Sequence, residues 1–243
     1  MAVILFLICA SLWYLPIYFK QGKKNKLPVW RYIIALVLGM TLGFFGAIII
    51  QFAVEYGMTK VPISSNIKIF ILYYIIVAVS EEGLKFLCGR IALGKAEKVR
   101  KIDSILIFGA AGSGFEIVES ILSFSNPTGA IVRGILVLHI IWQLWMGAYW
   151  WEAAQCKLSG DRKGTVRNRI LALCVPLFLH GTHDTLCEFS GAYMMTDDEG
   201  KMVFGFCLLI AAFAIGITFA VITIKRSLRC AKESRLAEET VTE

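Results

Sequence analysis

Charged residues are scarce in this chain: Asp, Glu, Lys and Arg make up 18% of its 243 residues, below the roughly 25% of ordinary soluble domains. Hydrophobic residues make up 57%, and the mean hydropathy is +0.68. This composition excludes an ordinary soluble globular domain. It predicts an integral membrane protein built entirely of α-helices, which satisfy their own backbone hydrogen bonds in lipid.

Several functional patterns are also missing. The seven cysteines form no Cys-x-x-Cys pair, so we predict neither a disulfide framework nor a zinc-finger site. The chain has no His-Glu-x-x-His motif and no serine in a nucleophile elbow. No basic segment precedes the apolar residues 1–19, so they predict a retained first span rather than a cleaved signal peptide.

Apolar segments of membrane-spanning length recur along the chain and predict seven transmembrane helices. They cover about residues 1–19, 30–54, 67–93, 102–124, 130–153, 170–189 and 202–224. The loops after the first, third and fifth segments are rich in Lys and Arg, whereas the opposite side has only Lys60, Lys68 and Lys201. The positive-inside rule therefore places the N-terminus outside and the C-terminus in the cytoplasm.

The predicted domain organisation follows from these segments. We expect one helical membrane domain over residues 1–224 and a cytoplasmic tail over 225–243 that is short and amphipathic or disordered. Because the formal net charge of +7 resides in the loops, it reflects topology, and we predict a lipid bilayer but no nucleic acid as partner. A bacterial cytoplasmic membrane is the expected location.

The third segment contains a cluster of ionisable residues, Ser80-Glu81-Glu82-Gly83-Leu84-Lys85. An ionisable group at the bilayer centre costs about 2.5–3.5 kcal/mol, so this cluster needs partners or a hydrated cavity. Glu81 and Lys85 share a helix face at i,i+4, and Glu82 reaches Lys85 at i,i+3. Lys85 is interpreted mainly as a structural ion-pair partner.

Three later segments carry further acids and imidazoles. They are Glu116 and Glu119 in the fourth segment, His139 in the fifth, and His180, His183 and Asp184 in the sixth. From the rise of about 1.5 Å per residue, Glu119, His139, His180 and Asp184 lie about 7–15 Å below the outer face and Glu81 about 20 Å. We expect these groups to share a cavity if the third helix bends or begins slightly later. Packing is an alternative explanation for Glu116, His183 and, on its own, His139, and snorkelling is one for the outer Arg133.

Buried carboxylates and imidazoles of this kind can perform general acid–base catalysis on water. A carboxylate would accept the proton while an imidazole stabilises the developing oxyanion. We favour metal-free hydrolysis with Glu81 as base and Glu82 in support, although a divalent metal ion bound by Glu and His from separate helices stays open.

The motifs resemble those of the PrsW family of intramembrane proteases. They are Glu81-Glu82-x-x-Lys85, Phe115-x-x-x-Glu119, Arg133 with His139, and His180-x-x-x-Asp184, in order over about residues 67–190. The resemblance to CAAX prenyl proteases is more distant. The resemblance to the PrsW family implies a glutamic-type endopeptidase with Glu81, Glu82, Glu119, His139, His180 and Asp184 as catalytic residues. Lys85, Phe115, Glu116, Arg133 and His183 would support them.

The resemblance also implies a substrate. This would be a single-span membrane protein such as an anti-sigma factor, cut near its extracytoplasmic side as the first step of regulated proteolysis. Two other functions are compatible with buried Glu and His residues, namely a proton-coupled transporter and a non-catalytic membrane scaffold. A transporter would be expected to show inverted repeats with paired broken helices, and the sequence shows no such symmetry.

Overall fold

The computed structural model describes residues 16–20, 27–122 and 138–240. Within these ranges the chain is helical and contains no strand, as the composition predicts. Most of the predicted first span, the first part of the fifth and Arg133 lie outside the described residues.

Six long helices account for nearly all of the described chain. Helix α1 is Val29–Thr59, α2 covers 65–93, α3 is Lys101–Leu122, α4 is Leu138–Leu158, α5 is Arg162–Met194 and α6 is Glu199–Thr240. Two of them contain π-helical segments, Gly39–Gly43 in α1 and Phe70–Val77 in α2. The π-helical segment of α2 ends four residues before Glu81. π-Helical turns often occur at functional sites.

Helix α3 lies at the centre of the bundle. Every residue from Ile102 to Gly112 is buried, because a helix that is apolar on all sides is stable only when neighbouring helices surround it. It packs most extensively against α4 and also contacts α1 and α2. Ile105, Leu106 and Ile140 belong to the largest cluster of buried apolar side chains.

Glycines allow two of these helices to approach closely. A Cβ atom at Gly39 of α1 would collide with the Ala111 carbonyl of α3, and one at Gly114 would collide with the Leu36 carbonyl. A side chain at either position would therefore push α1 away from α3. Small residues at such crossings let membrane helices pack closely.

Among the described residues, four helices are long and apolar enough to cross a bilayer, namely α1, α3, α5 and α6. Helices α2 and α4 are less apolar because they contain polar residues such as Glu81, Glu82 and His139. The molecule is therefore a multi-pass membrane protein. Seven spans and the outward orientation of the N-terminus remain predictions.

Two helices extend beyond the predicted membrane-spanning segments. The sixth segment covers about residues 170–189, whereas α5 begins at Arg162, where the side chain of Asp161 accepts a hydrogen bond from the Gly164 N–H and caps the helix. Helix α6 continues through residue 225 to Thr240. Its polar end stays helical while Cys230 and Ala231 pack against the bundle.

Candidate active site

The acids and imidazoles of four helices meet in one cluster. Helix α2 contributes Glu81, Glu82 and Lys85, α3 contributes Glu119, α4 contributes His139, and α5 contributes His180 and Asp184. The sequence estimate places Glu81 deeper in the membrane than the imidazoles, but in the structure Glu81 lies beside them. Its carboxylate Oε2 lies 3.9 Å from His139 Nδ1 and 3.8 Å from His180 Nε2.

Glu82 is the most completely enclosed acid of the cluster. Its side chain has no exposed surface, and its Oε1 lies 2.5 Å from Lys85 Nζ and 2.9 Å from His180 Nδ1. Its Oε2 accepts a hydrogen bond of 2.9 Å from Gln143 Nε2. A buried charge is tolerated only when it is paired and hydrogen-bonded, and these partners hold the carboxylate in one position.

The two ring nitrogens of His139 have different partners. Nε2 lies 2.9 Å from Glu119 Oε2, and a carboxylate is an acceptor, so we assign the ring proton to Nε2. Nδ1 then keeps its lone pair and lies 2.6 Å from Lys85 Nζ. An ammonium can only donate, so Lys85 requires Nδ1 to be the acceptor and the proton to be on Nε2, which faces Glu119.

His180 lies between two carboxylates and an indole ring. Its Nδ1 faces Glu82, while its Nε2 lies 2.9 Å from Asp184 Oδ2. The Trp142 ring stacks on the imidazole at a centroid distance of 4.4 Å and an angle of 21°. These contacts restrict the imidazole to one orientation.

The cluster is more accessible at one edge. The side chains of Asp184 and Glu119 are 27% and 23% exposed, whereas Glu82 and His180 are almost fully buried. The accessible edge of the cluster is therefore formed by Asp184 of α5 and Glu119 of α3.

The remaining predicted residues have different positions. Phe115 is buried, with Lys85 Nζ 4.2 Å from its ring centroid. Glu116 is also buried in α3. His183 Nδ1 lies 3.2 Å from Asp184 Oδ1 at the accessible edge, so it adjoins the cluster. Arg133 lies outside the described residues.

Two glutamines of the site were not assigned a role by the sequence reasoning. Gln51 Nε2 of α1 donates a hydrogen bond of 3.1 Å to Glu81 Oε1, and Gln143 binds Glu82. Each lies in an otherwise apolar segment, and that isolation is the signal that could have identified them. A polar amide in lipid requires a partner.

Residues 27–215 match the family model described as PrsW family intramembrane metalloprotease. The chain belongs to the PrsW family. No curated protein and no solved structure gives a significant match. Membership of the PrsW family confirms the prediction of an intramembrane peptidase. The description of the family as metalloproteases differs from the metal-free, glutamic-type chemistry favoured by the sequence reasoning, so the predicted absence of a metal cofactor is not confirmed.

The residues of the cluster fit a divalent metal ion. Glu81, His139 and His180 each offer one ligand atom, these atoms lie within 4.8 Å of one another, and all three residues are buried. Two imidazoles and one carboxylate are the protein ligands of several hydrolytic zinc sites. The second nitrogen of each imidazole faces a further carboxylate, Glu119 or Glu82. Such outer carboxylates commonly orient metal-binding histidines.

Proposed function

We propose that this PrsW-family protein is a metal-dependent intramembrane endopeptidase whose ion is held by Glu81, His139 and His180. The observation that carries the proposal is the convergence of these three ligand atoms in a buried site. A divalent ion supplies Lewis-acid polarisation of a peptide carbonyl and makes a water molecule more acidic.

The other acids of the site would orient the ligands. Glu119 Oε2 lies 2.9 Å from Nε2 of His139, and Glu82 Oε1 accepts a hydrogen bond from Nδ1 of His180. In this arrangement both imidazoles present a lone pair toward Glu81. We therefore assign Glu82 a positioning role, which agrees with the supporting role favoured from the sequence. Glu81 becomes a ligand rather than the general base.

We assign the general base to Asp184. A neutral His180 whose Nδ1–H donates to Glu82 has no proton at Nε2 to give to Asp184. The Asp184 carboxylate is then available to accept a proton from the attacking water. It also has the most exposed side chain among the acids in contact with the two imidazoles.

The proposed substrate is a single-span membrane protein, of which an anti-sigma factor is the family example, cut near its extracytoplasmic side. The partial exposure of Glu119 and Asp184, which the sequence places in the outer half of the membrane, supports this position, given the predicted topology. A bacterial cytoplasmic membrane would be the location. Cleavage there would begin a regulated proteolytic cascade.

The test is cleavage of a reconstituted single-span substrate in proteoliposomes. Glu81→Gln and His180→Ala should abolish cleavage, whereas Glu152→Gln, a matched carboxylate change on α4 away from the site, should retain it. A chelator should stop the wild-type reaction, and added Zn²⁺ should restore it. Unchanged cleavage in both site variants would remove the proposal, and chelator-resistant cleavage would return the mechanism to metal-free hydrolysis.

A further inference from the structure

A lysine ammonium lies inside the cluster to which we assign the metal ion. Lys85 is fully buried, and its Nζ lies 2.5 Å from Glu82 Oε1, 3.5 Å from Glu81 Oε2 and 2.6 Å from His139 Nδ1. The face of the Phe115 ring lies 4.2 Å away and offers a cation–π contact. Lys85 therefore contacts two of the three proposed ligands. This contact with the imidazole goes beyond the ion pair predicted from the sequence.

His139 Nδ1 cannot serve both the ammonium and a metal ion. The Nε2 atom faces the Glu119 carboxylate at 2.9 Å and holds the ring proton, so Nδ1 has one lone pair. That lone pair can accept a hydrogen bond from Lys85 or bind a metal ion, but not both at once. Nδ1 is also the nitrogen that faces Glu81, at 3.9 Å. The ligand atom and the acceptor of the lysine are the same atom.

The charges of the site also oppose simultaneous binding of the ammonium and a metal ion. An ammonium and a divalent cation repel each other strongly in a buried site, where little water screens them. The Glu82 carboxylate and the Phe115 ring give the ammonium two other contacts that do not involve His139. Lys85 can therefore leave Nδ1 without losing every partner.

We propose that Lys85 competes with the divalent ion for His139 and so sets the affinity of the site for metal. The inference rests on the proposed metal site and deepens it. With the ammonium at Nδ1, one negative charge of Glu81 and Glu82 is balanced and the metal-free protein is stabilised. With the ion at Nδ1 the ammonium withdraws toward Glu82. Loading then depends on the free metal concentration, and the bound ion exchanges more readily than it would without the lysine.

The experiment compares Lys85→Met with the matched control Lys101→Met, which removes a cation that pairs with Glu152 on α4. Zn²⁺ affinity is measured on the full-length purified proteins by competition with a chromophoric chelator. The Lys85→Met variant should bind Zn²⁺ at least about tenfold more tightly. Substitutions of residues that contact metal ligands change metal affinity by a factor of this size. The metal-stripped form of Lys85→Met should melt at a lower temperature, and Lys101→Met should bind Zn²⁺ like the wild type.

A measurement on the wild type keeps the inference testable if Lys85→Met does not fold. In protein labelled with ¹⁵N-lysine, the Nζ resonance of Lys85, assigned by its loss in Lys85→Arg, should shift on saturation with Zn²⁺. Equal or weaker Zn²⁺ binding by a folded Lys85→Met, or an unmoved Lys85 resonance at saturation, would overturn the inference and leave the metal site intact. Absence of Zn²⁺ binding in both proteins would overturn the metal site as well.

Discussion

Replacing Gly112 by alanine tests how tightly the crossing of α3 and α4 holds the site. A Cβ atom at Gly112 would lie 2.7 Å from the His139 carbonyl oxygen and 2.9 Å from Gln143 Cγ. Ordinary contacts begin at 3.4 Å, so the helices would have to separate by about 0.7 Å at this point. Overpacking of this kind costs about 1–3 kcal/mol of stability.

The same separation would damage the site. The contact of 2.9 Å between His139 Nε2 and Glu119 Oε2 joins these two helices. An opening of about 0.7 Å would lengthen this contact to about 3.6 Å and weaken the electrostatic pairing of the two side chains. Because a displacement of about 1 Å can cost about 100-fold in rate, we expect Gly112→Ala to lower kcat/KM for proteoliposome cleavage by about 10- to 100-fold.

The control for this prediction is Gly57→Ala in α1. A Cβ atom at Gly57 meets nothing within 4 Å, so this variant should keep wild-type cleavage and Tm. If Gly112→Ala were as active and as stable as the wild type, the close contact of α3 with α4 would not hold the site together. Equal losses in both variants would mean that alanine substitution itself, rather than the crossing, is responsible.

Three further changes have separate expected outcomes. Gln143→Leu removes a donor to buried Glu82 and should cost about 1–3 kcal/mol; a wild-type Tm would contradict this. Glu152→Gln breaks partly exposed pairs with two cations and should cost at most about 1 kcal/mol, less at high salt; a large, salt-independent fall in Tm would contradict it. Asp198 accepts a hydrogen bond from the Lys201 N–H, which lowers the pKa of the Asp198 carboxyl group. The carboxylate therefore stabilises the start of α6 above its ordinary pKa, and this stabilisation is lost as the pH falls through the lowered pKa. Asp198→Ala should therefore speed hydrogen exchange of the Lys201 amide relative to the wild type at neutral pH but not in acid. Equal exchange rates in the variant and the wild type at neutral pH would contradict this.

The sequence predicted the helical class and the residues of the cluster because the physical signals were strong. Lipid penalises each buried charge, so Glu81, Glu82 and Lys85 are conspicuous in an apolar segment. Helical spacing then shows that Glu82 and Lys85 share a face, and they form a short ion pair in the structure.

Other features depend on tertiary packing and could not be predicted. The π-helical segment Phe70–Val77 precedes Glu81 and has no signature in its uniformly apolar sequence. A π-helical turn changes the direction in which the following side chains point. An estimate from the α-helical rise alone therefore places Glu81 too far from the imidazoles. The contact of Lys85 with His139 also depends on how α2 and α4 pack, which local spacing does not determine.

The central claim is that Glu81, His139 and His180 bind one divalent ion, and X-ray absorption spectroscopy of the Zn²⁺-loaded protein tests it most directly. The account predicts about one ion per chain with two imidazole nitrogens and a carboxylate oxygen at about 2.0–2.2 Å. His139→Ala and His180→Ala should each remove one imidazole from the spectrum. A spectrum without imidazole scattering, or one unchanged in both variants, would contradict the account.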